Sequence, residues 1–342
     1  MNTDSRTPRS VRATLKATGT GLAMLALMAA GPAGSRVDAR QTPPAIEGLE
    51  TVEVRPNVFV IFGAGGNIVV QVGPDGAVVV DTGTAAMADK VLAAIKALTP
   101  KPIRYIVNTS ADIDHVGGNE KLAAAGVSYN GNTQFTGTAV ADVLAREEVL
   151  LRMSAPTGEQ SPFTSGSWPT ETFTMNTKSM YANGEGIQAI HQPNAHTDGD
   201  SIVFFRRADV IVVGDIVDLR RFPVIDREKG GSIQGEIAAL NRLLVLAIPA
   251  MPLTWREERT AIVPGHGRIA DHAELVDYRD MITVIRDIVQ SLIDKGQTLE
   301  QIKAANPTAG FRARYGSDSG PWTTDMFVEA VYRDLISASR KS

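Results

Sequence analysis

The 342-residue sequence contains no cysteine. This absence excludes disulfide bonds and thiolate metal ligands, so histidine, carboxylate or weaker oxygen donors must hold any bound metal ion. A block of lysine and arginine is also missing beyond the first forty residues, and the formal net charge is only -4. The composition therefore argues against a nucleic-acid partner. Because 43% of the residues are hydrophobic, the chain can bury the core of one large α/β domain, with or without an appendage.

A long apolar run is absent as well, and the N-terminus instead has the pattern of a secretory signal peptide. Residues 21–30 form a short apolar segment that follows four basic residues: Arg6, Arg9, Arg12 and Lys16. The segment is too short to span a bilayer comfortably, and small residues allow cleavage after Ala30 or Ala39. An uncleaved membrane anchor is the alternative. We expect export, to a bacterial periplasm, and assign residues 1–40 to the signal peptide and linker.

Short apolar runs alternate with turn signals after the linker, and this alternation predicts β-strands. The predicted strands span residues 57–62, 67–72, 77–80, 103–107, 127–129, 187–190, 201–205, 210–213 and 261–263. Helical spacing of apolar residues predicts helices between and after them. The predicted helices span residues 87–98, 138–153, 232–246, 273–293, 299–305 and 324–337. Strands followed by helices, twice over, indicate a layered α/β architecture.

Residues 154–180 differ from the rest of the chain because they are rich in serine, threonine, proline and glycine. Aromatic residues, including Phe163 and Trp168, are interleaved among them. The segment is either an irregular surface connection or a loop beside a substrate cleft, since long ordered loops are often functional.

Three of the five histidines lie in polar, glycine-flanked turns directly after a predicted strand. These are His115, His196 and His266, and Asp215 occupies a similar turn. A core histidine would more often be embedded in an apolar run. Loops at one edge of a sheet commonly build a single site, so the four turns indicate either a metal site or a scattered set of caps and turns.

Four blocks in this order resemble the signature of the metallo-β-lactamase superfamily: Asn108–Asn119, Ala195–Asp200, Gly214-Asp215 and Pro264–Gly267. The order of all four blocks makes the resemblance more specific than any single motif. It implies an αββα sandwich over residues 45–270, with two mixed β-sheets face to face, helices outside and a metal site at one sheet edge. Residues 271–342 resemble the helical extension of exported relatives.

The resemblance also implies two metal positions. In the second position, Asp114, His115 and His266 would be ligands, and Asp215 would bridge to the first. The family's first block is His-x-His-x-Asp-His, which aligns with residues 110–115.

The first position departs from the family pattern. It would be formed by His196 with the residues at 110 and 112, where Ser110 and Asp112 replace two histidines. Asp112 is a competent oxygen donor and a further candidate ligand, whereas Ser110 is at best a weak one. Exchanging imidazole for carboxylate hardens the site and weakens selection for zinc, which leaves iron, manganese or magnesium open. We expect a divalent ion, Zn²⁺ by default, and three states remain: one ion at the second position, two ions, or none.

The implied function is that of an exported metal-dependent hydrolase with a small-molecule substrate. A metal-bound hydroxide would attack the carbonyl of an ester, thioester, lactam or lactone. Asp114 would be both ligand and catalytic residue, since it could orient water or shuttle a proton. Two alternatives remain: a class B-like β-lactamase, and a catalytically inactive protein that keeps the fold as a binding or accessory module.

Asp81 and Ser110 are predicted to support the ligands rather than bind metal. Asp81 ends a strand, where it would orient an imidazole, or else cap the following helix. His191 and His272 receive no role from the pattern. No protein partner is indicated, and no stable membrane insertion is expected after signal cleavage.

Overall fold

The computed structural model describes residues 45–128, 140–154, 160–250 and 259–339. The predicted signal peptide and linker, residues 1–40, lie outside these ranges. None of the helices within the described ranges is both long and apolar enough to cross a membrane.

The first β-sheet has seven strands in sequential order. They are β1 (Glu50–Arg55), β2 (Val58–Ala64), β3 (Gly66–Gly73), β4 (Gly76–Val80), β5 (Ile103–Val107), β6 (Asp142–Arg146) and β7 (Glu171–Phe173). Strands β1 to β4 pair antiparallel, and β4 to β7 pair parallel.

The second β-sheet has five strands in the order β12-β11-β10-β9-β8. They are β8 (Thr177–Ala182), β9 (Glu185–His191), β10 (Ser201–Phe205), β11 (Val210–Asp218) and β12 (Ala261–His266). Among the described strands of this sheet, β11 and β12 alone pair parallel, so both sheets are mixed.

Nine α-helices are present in the described part of the chain. They are α1 (Ala88–Leu98), α2 (Ile113–Val116), α3 (Asn119–Ala124), α4 (Glu147–Ser154), α5 (Ile233–Leu246), α6 (His272–Asp294), α7 (Leu299–Ala304), α8 (Arg312–Tyr315) and α9 (Thr324–Ser339). Helices α1 and α3 cover the outer face of the first sheet, whereas α5, α6 and α9 cover that of the second.

The central strands are continuous apolar runs because side chains on both of their faces are buried. Val78 and Val80 of β4 face the second sheet, while Val79 between them packs against the outer helices. All three side chains are fully buried, as expected for strands covered on both faces. The layers therefore follow the order helix, sheet, sheet, helix, which confirms the predicted αββα sandwich and the helical C-terminal segment.

The prediction of a helix over residues 138–153 is wrong for residues 142–146, and residues 138 and 139 lie outside the described ranges. Residues 142–146 form the parallel strand β6, and the helix α4 begins only at Glu147. Residues 127 and 128 form no strand, and residue 129 lies outside the described ranges. The segment 154–180 is more regular than predicted, because β7 and the start of β8 lie within it.

Candidate metal centre

Two groups of potential metal ligands meet at the edge of the sandwich where several strands end. The donor atoms within each group lie within 4.8 Å of one another, and the two groups share Asp215. The second position comprises Asp114, His115, Asp215 and His266, and the first position comprises Asp112, His196 and Asp215. The structure thus brings together all six residues that the sequence named as ligands or candidate ligands.

The ends of the strands explain this convergence. Chain leaving β5 enters the short helix α2, which carries Asp114 and His115. His266 is the last residue of β12, and Asp215 lies within the neighbouring β11. The register between β11 and β12 is irregular on both sides of Gly214, and such a bulge redirects the side chain that follows it.

Asp81 fixes the orientation of His115. Its carboxylate oxygen Oδ2 lies 2.7 Å from His115 Nδ1 and also accepts a 2.6 Å hydrogen bond from the Thr109 hydroxyl. The other oxygen accepts from the Thr109 backbone N–H at 2.8 Å. A carboxylate at Nδ1 requires a proton there, so the lone pair of Nε2 points into the second position. Helix α1 begins at Ala88 without a contact to Asp81, which favours the orienting interpretation over capping.

The second position contains buried polar atoms that lack a hydrogen bond. His115 Nε2 and Asp215 Oδ1 lie 3.2 Å apart, yet neither makes a hydrogen bond of acceptable geometry within the described part of the chain. His266 Nε2 lies 3.1 Å from Asp114 Oδ2 and 3.3 Å from Asp215 Oδ1. Buried acceptors that face each other are unfavourable unless a proton or a metal ion lies between them. Histidine nitrogens and carboxylate oxygens are ligands that zinc accepts, so the residues present fit a divalent ion.

At the second position, neighbouring imidazoles and carboxylates stabilise one another's charged forms. Burial alone would raise the pKa of Asp215, but the imidazoles of His115, His196 and His266 keep it well below its usual range. Burial likewise opposes protonation of His115, yet the carboxylates of Asp215 and Asp81 raise its pKa well above the ordinary value. The pocket therefore demands a positive charge, which either a proton or a metal ion can supply.

The first position is arranged differently. Asp112 Oδ2 lies 2.8 Å from His196 Nε2, and the opposite nitrogen of His196 lies 2.8 Å from the Val224 carbonyl. Burial lowers and Asp112 raises the pKa of His196, with a net rise to about 10. Ser110 is buried and its hydroxyl accepts a 3.3 Å hydrogen bond from the Asp112 backbone N–H, so it supports the turn.

Sequence reasoning missed Lys229. Its ammonium donates to Asp112 Oδ1 at 2.7 Å and lies 3.0 Å from Asp226 Oδ2. Lys229 follows β11 in an irregular loop, and no spacing relates it to Asp112, which is 117 residues away. His191 and His272, for which the sequence indicated no role, belong to neither position. His191 contacts the Asp198 carbonyl, and His272 begins α6.

A cavity of about 560 Å³ opens over both positions. Its polar lining includes the ligand carboxylates and Lys229, and its apolar lining includes Phe163, Val224 and Trp322. Phe163 belongs to the segment 154–180, so that segment contributes to the wall of the cleft. A cavity of this size accommodates a small molecule.

Comparisons with known proteins agree with this architecture. Residues 61–128 match the sequence model of the Metallo-beta-lactamase superfamily. A metallo-beta-lactamase from Pontibacter korlensis superposes with a TM-score of 0.51 at 18% identity, covering 69% of this chain and 99% of that one. The DIM-1 metallo-beta-lactamase gives 0.50 at 16% identity, covering 70% and 99%.

A second type of neighbour covers more of this chain. The inverting sec-alkylsulfatase Pisa1 from Pseudomonas sp. superposes with a TM-score of 0.60 at 17% identity, covering 83% of this chain and 50% of that one. Identities this low establish the fold alone. Comparison with curated protein sequences gives no match.

Proposed function

We propose that this chain is a metal-dependent hydrolase of the metallo-β-lactamase superfamily that acts on small-molecule substrates; the match of residues 61–128 to the superfamily's sequence model and the shared fold support this proposal. The observation that carries this proposal is the convergence of four potential ligands at the second position beside the cavity, where the buried atoms His115 Nε2 and Asp215 Oδ1 lie 3.2 Å apart without a hydrogen bond of acceptable geometry among the described residues.

In this proposal the residues of the second position have two roles, metal binding and proton transfer. His115, Asp215 and His266 would hold a divalent ion, together with Asp114. When bound, such an ion supplies Lewis-acid activation of water and of the scissile group. Asp114 is partly exposed to the cavity, with 28% of its side chain accessible. Its carboxylate is therefore placed to orient a water molecule or to take a proton from it, which is the role of a general base.

Metal loading and hydrolysis measured on the same samples test the proposal. The purified protein is stripped with chelator, reloaded with Zn²⁺, Mn²⁺ or Fe²⁺, and assayed with chromogenic esters, thioesters, lactones and a lactam. We expect hydrolysis only in the reloaded samples. The variant His266→Ala should lose at least 100-fold in kcat/KM, because a ligand is removed. The matched control His272→Ala should stay within threefold of the wild type, because His272 lies at the start of α6.

The panel also separates the alternatives. Turnover of the lactam alone would favour a class B-like β-lactamase, and a secondary alkyl sulfate is included because one structural neighbour is an alkylsulfatase. A wild-type protein that retains no divalent ion and hydrolyses nothing would sink the hydrolase proposal in favour of an inactive binding or accessory protein.

Export is a separate proposal, which rests on the basic and apolar pattern of residues 1–40. Expression of the full chain followed by cell fractionation should place the protein in the periplasm. N-terminal sequencing should then find cleavage after Ala30 or Ala39, whereas an intact N-terminus in the membrane fraction would identify an uncleaved anchor.

A further inference from the structure

Lys229 is held firmly beside the first position. Its backbone carbonyl accepts hydrogen bonds from the Asp198 N–H at 2.9 Å and from the Arg152 guanidinium at 2.8 Å. Its own N–H donates to Asp226 Oδ1 at 3.0 Å, and the Asp226 N–H donates to the His196 carbonyl at 3.0 Å. The loop is thereby tied to the turn that carries His196, and the ammonium of Lys229, whose side chain is 39% exposed, is held by its contacts with Asp112 and Asp226.

Asp112 is fully engaged by neighbouring donors. One carboxylate oxygen accepts from the Lys229 ammonium at 2.7 Å, and the other lies 2.8 Å from His196 Nε2. A metal ion at the first position would have to displace the His196 contact and would lie close to a fixed positive charge. Ser110, the remaining family ligand site, already binds the Asp112 backbone N–H.

The two positions thus contrast in their polar atoms. At the second position, His115 Nε2 and Asp215 Oδ1 lack a hydrogen-bond partner in the described part of the chain. At the first position, neither the carboxylate of Asp112 nor the imidazole of His196 has an atom among those unsatisfied ones. The unsatisfied atoms therefore lie at the second position, where a divalent ion would satisfy them, and not at Asp112 or His196.

We propose that the ammonium of Lys229 replaces the first metal ion, so that this protein binds a single divalent ion, at the second position. Lys229 compensates the charge of Asp112, which stands where the family has a neutral imidazole. The Asp112 carboxylate and the Lys229 ammonium thus form an ion pair at 2.7 Å. This inference rests on the metal binding proposed above and specifies its stoichiometry.

Native mass spectrometry of the full chain, titrated with Zn²⁺ in a metal-buffered solution, tests the inference by counting ions per chain. The wild type should saturate at one ion. Lys229→Met, which removes the charge and keeps the length of the side chain, should admit a second ion. Lys229→Arg, which keeps the charge, should still saturate at one. Circular dichroism spectra of the variants verify that they are folded.

Removal of a ligand from each position supplies a second readout. Asp112→Asn should leave the Kd of the single ion within threefold of the wild type, because Asp112 does not bind it. His266→Ala should raise that Kd at least tenfold.

The inference is overturned if the wild type saturates at two ions, if Lys229→Met still saturates at one, or if Asp112→Asn weakens the first ion tenfold. Two ions together with hydrolysis would contradict the stoichiometry alone. One ion without hydrolysis of any substrate would contradict the proposed function alone, and no bound ion at all would overturn both.

Discussion

Single side chains set the chemistry of this centre, and Asp81 is the clearest case. It has a positive φ of 60°, a conformation that non-glycine residues rarely adopt. In return its carboxylate reaches both the Thr109 backbone and His115 Nδ1. Backbone strain at such a residue is maintained only where surrounding contacts compensate for it. Asp81 thus selects which nitrogen of His115 faces the second position.

Replacement of Asp81 by asparagine should weaken metal binding without removing a ligand. The amide presents N–H donors where the Thr109 hydroxyl and His115 Nδ1 require an acceptor, so the imidazole loses its fixed tautomer. We expect the Kd for Zn²⁺, measured by competition with a chromophoric chelator, to rise about 10- to 100-fold. The control Asp89→Asn, at a side chain that is 81% exposed, should leave the Kd unchanged. An unaltered Kd for Asp81→Asn would refute the orienting role.

Residues that bear a motif could be predicted from the sequence, whereas their long-range partners could not. His115, His196, Asp215 and His266 were predicted to share a site because each follows a strand. The role of Lys229 could not be predicted, because its contact with Asp112 depends on how a loop after β11 folds back over the sheet edge. No local pattern records such a contact.

At the scale of secondary-structure elements, the irregular end of β11 positions Asp215, the candidate ligand that the two positions share. Gly214, with φ of 53°, allows the strand to pass close to Thr109 just before Asp215. A Cβ atom at Gly214 would lie 2.6 Å from the Thr109 hydroxyl, which is too close for any real contact. Thr109 in turn binds Asp81, so the bulge and the orientation of His115 are mechanically linked.

The variant Gly214→Ala should therefore cost more than its backbone conformation alone. Gly296→Ala is the matched control, since Gly296 also has a positive φ but a Cβ atom there would meet no other atom within 4 Å. The control should lose about 1 to 2 kcal/mol of unfolding free energy from the left-handed conformation. Gly214→Ala should lose about 1 to 3 kcal/mol more and should bind Zn²⁺ more weakly. Urea unfolding measures both variants, and equal losses would contradict the link.

The wrong helix prediction over residues 142–146 has a physical cause at this same scale. Apolar residues in 138–153 fit helical spacing, and a short run of this kind does not distinguish a buried strand from a helix. Pairing with β5 on one side and β7 on the other decides for the strand. Tertiary pairing thus overrode the local pattern.

Helix α5 buries a carboxyl group that the proposed chemistry does not use. Glu236 is fully buried, and neither carboxyl oxygen has a hydrogen-bond partner among the described residues. Burial, reinforced by the negative charge of Asp200, raises the pKa of Glu236 well above its ordinary value. The group therefore keeps its proton to a higher pH in the folded protein than in the unfolded chain.

This difference predicts a pH-dependent effect of Glu236→Gln. Below the ordinary pKa, both states are protonated and the variant should match the wild type. As the pH rises above that value, only the unfolded state releases its proton, so the wild type loses stability until the folded pKa is reached. The advantage of the variant should grow by up to about 1.4 kcal/mol per pH unit over this interval.

Urea unfolding of the metal-free protein at pH 5 and pH 8 measures this advantage. Glu300→Gln, at an exposed position, serves as the control and should show no such growth. An advantage that is equal at both pH values would contradict the raised pKa of Glu236 in the folded protein.

At the scale of the whole molecule, the sandwich brings distant parts of the sequence together. Asp114 and His115 follow the first sheet, whereas Asp215 and His266 belong to the second. The order of the blocks allowed both the fold and this shared edge to be predicted. The choice between one and two ions could not be predicted, because it depends on the charge that the folded loop places beside Asp112.

A metal ion at the second position would join the two sheets, so its removal should destabilise the whole fold rather than one loop. An ion that binds only the folded state raises the free energy of unfolding by about 4 kcal/mol when its free concentration is 1,000 times the Kd. Thermal unfolding with buffered Zn²⁺ should therefore show a higher Tm than unfolding in chelator. The variant His266→Ala should show little difference between the two conditions, because it lacks a ligand from the second sheet. If this variant gained as much as the wild type, the ion would bind elsewhere and would not connect the sheets.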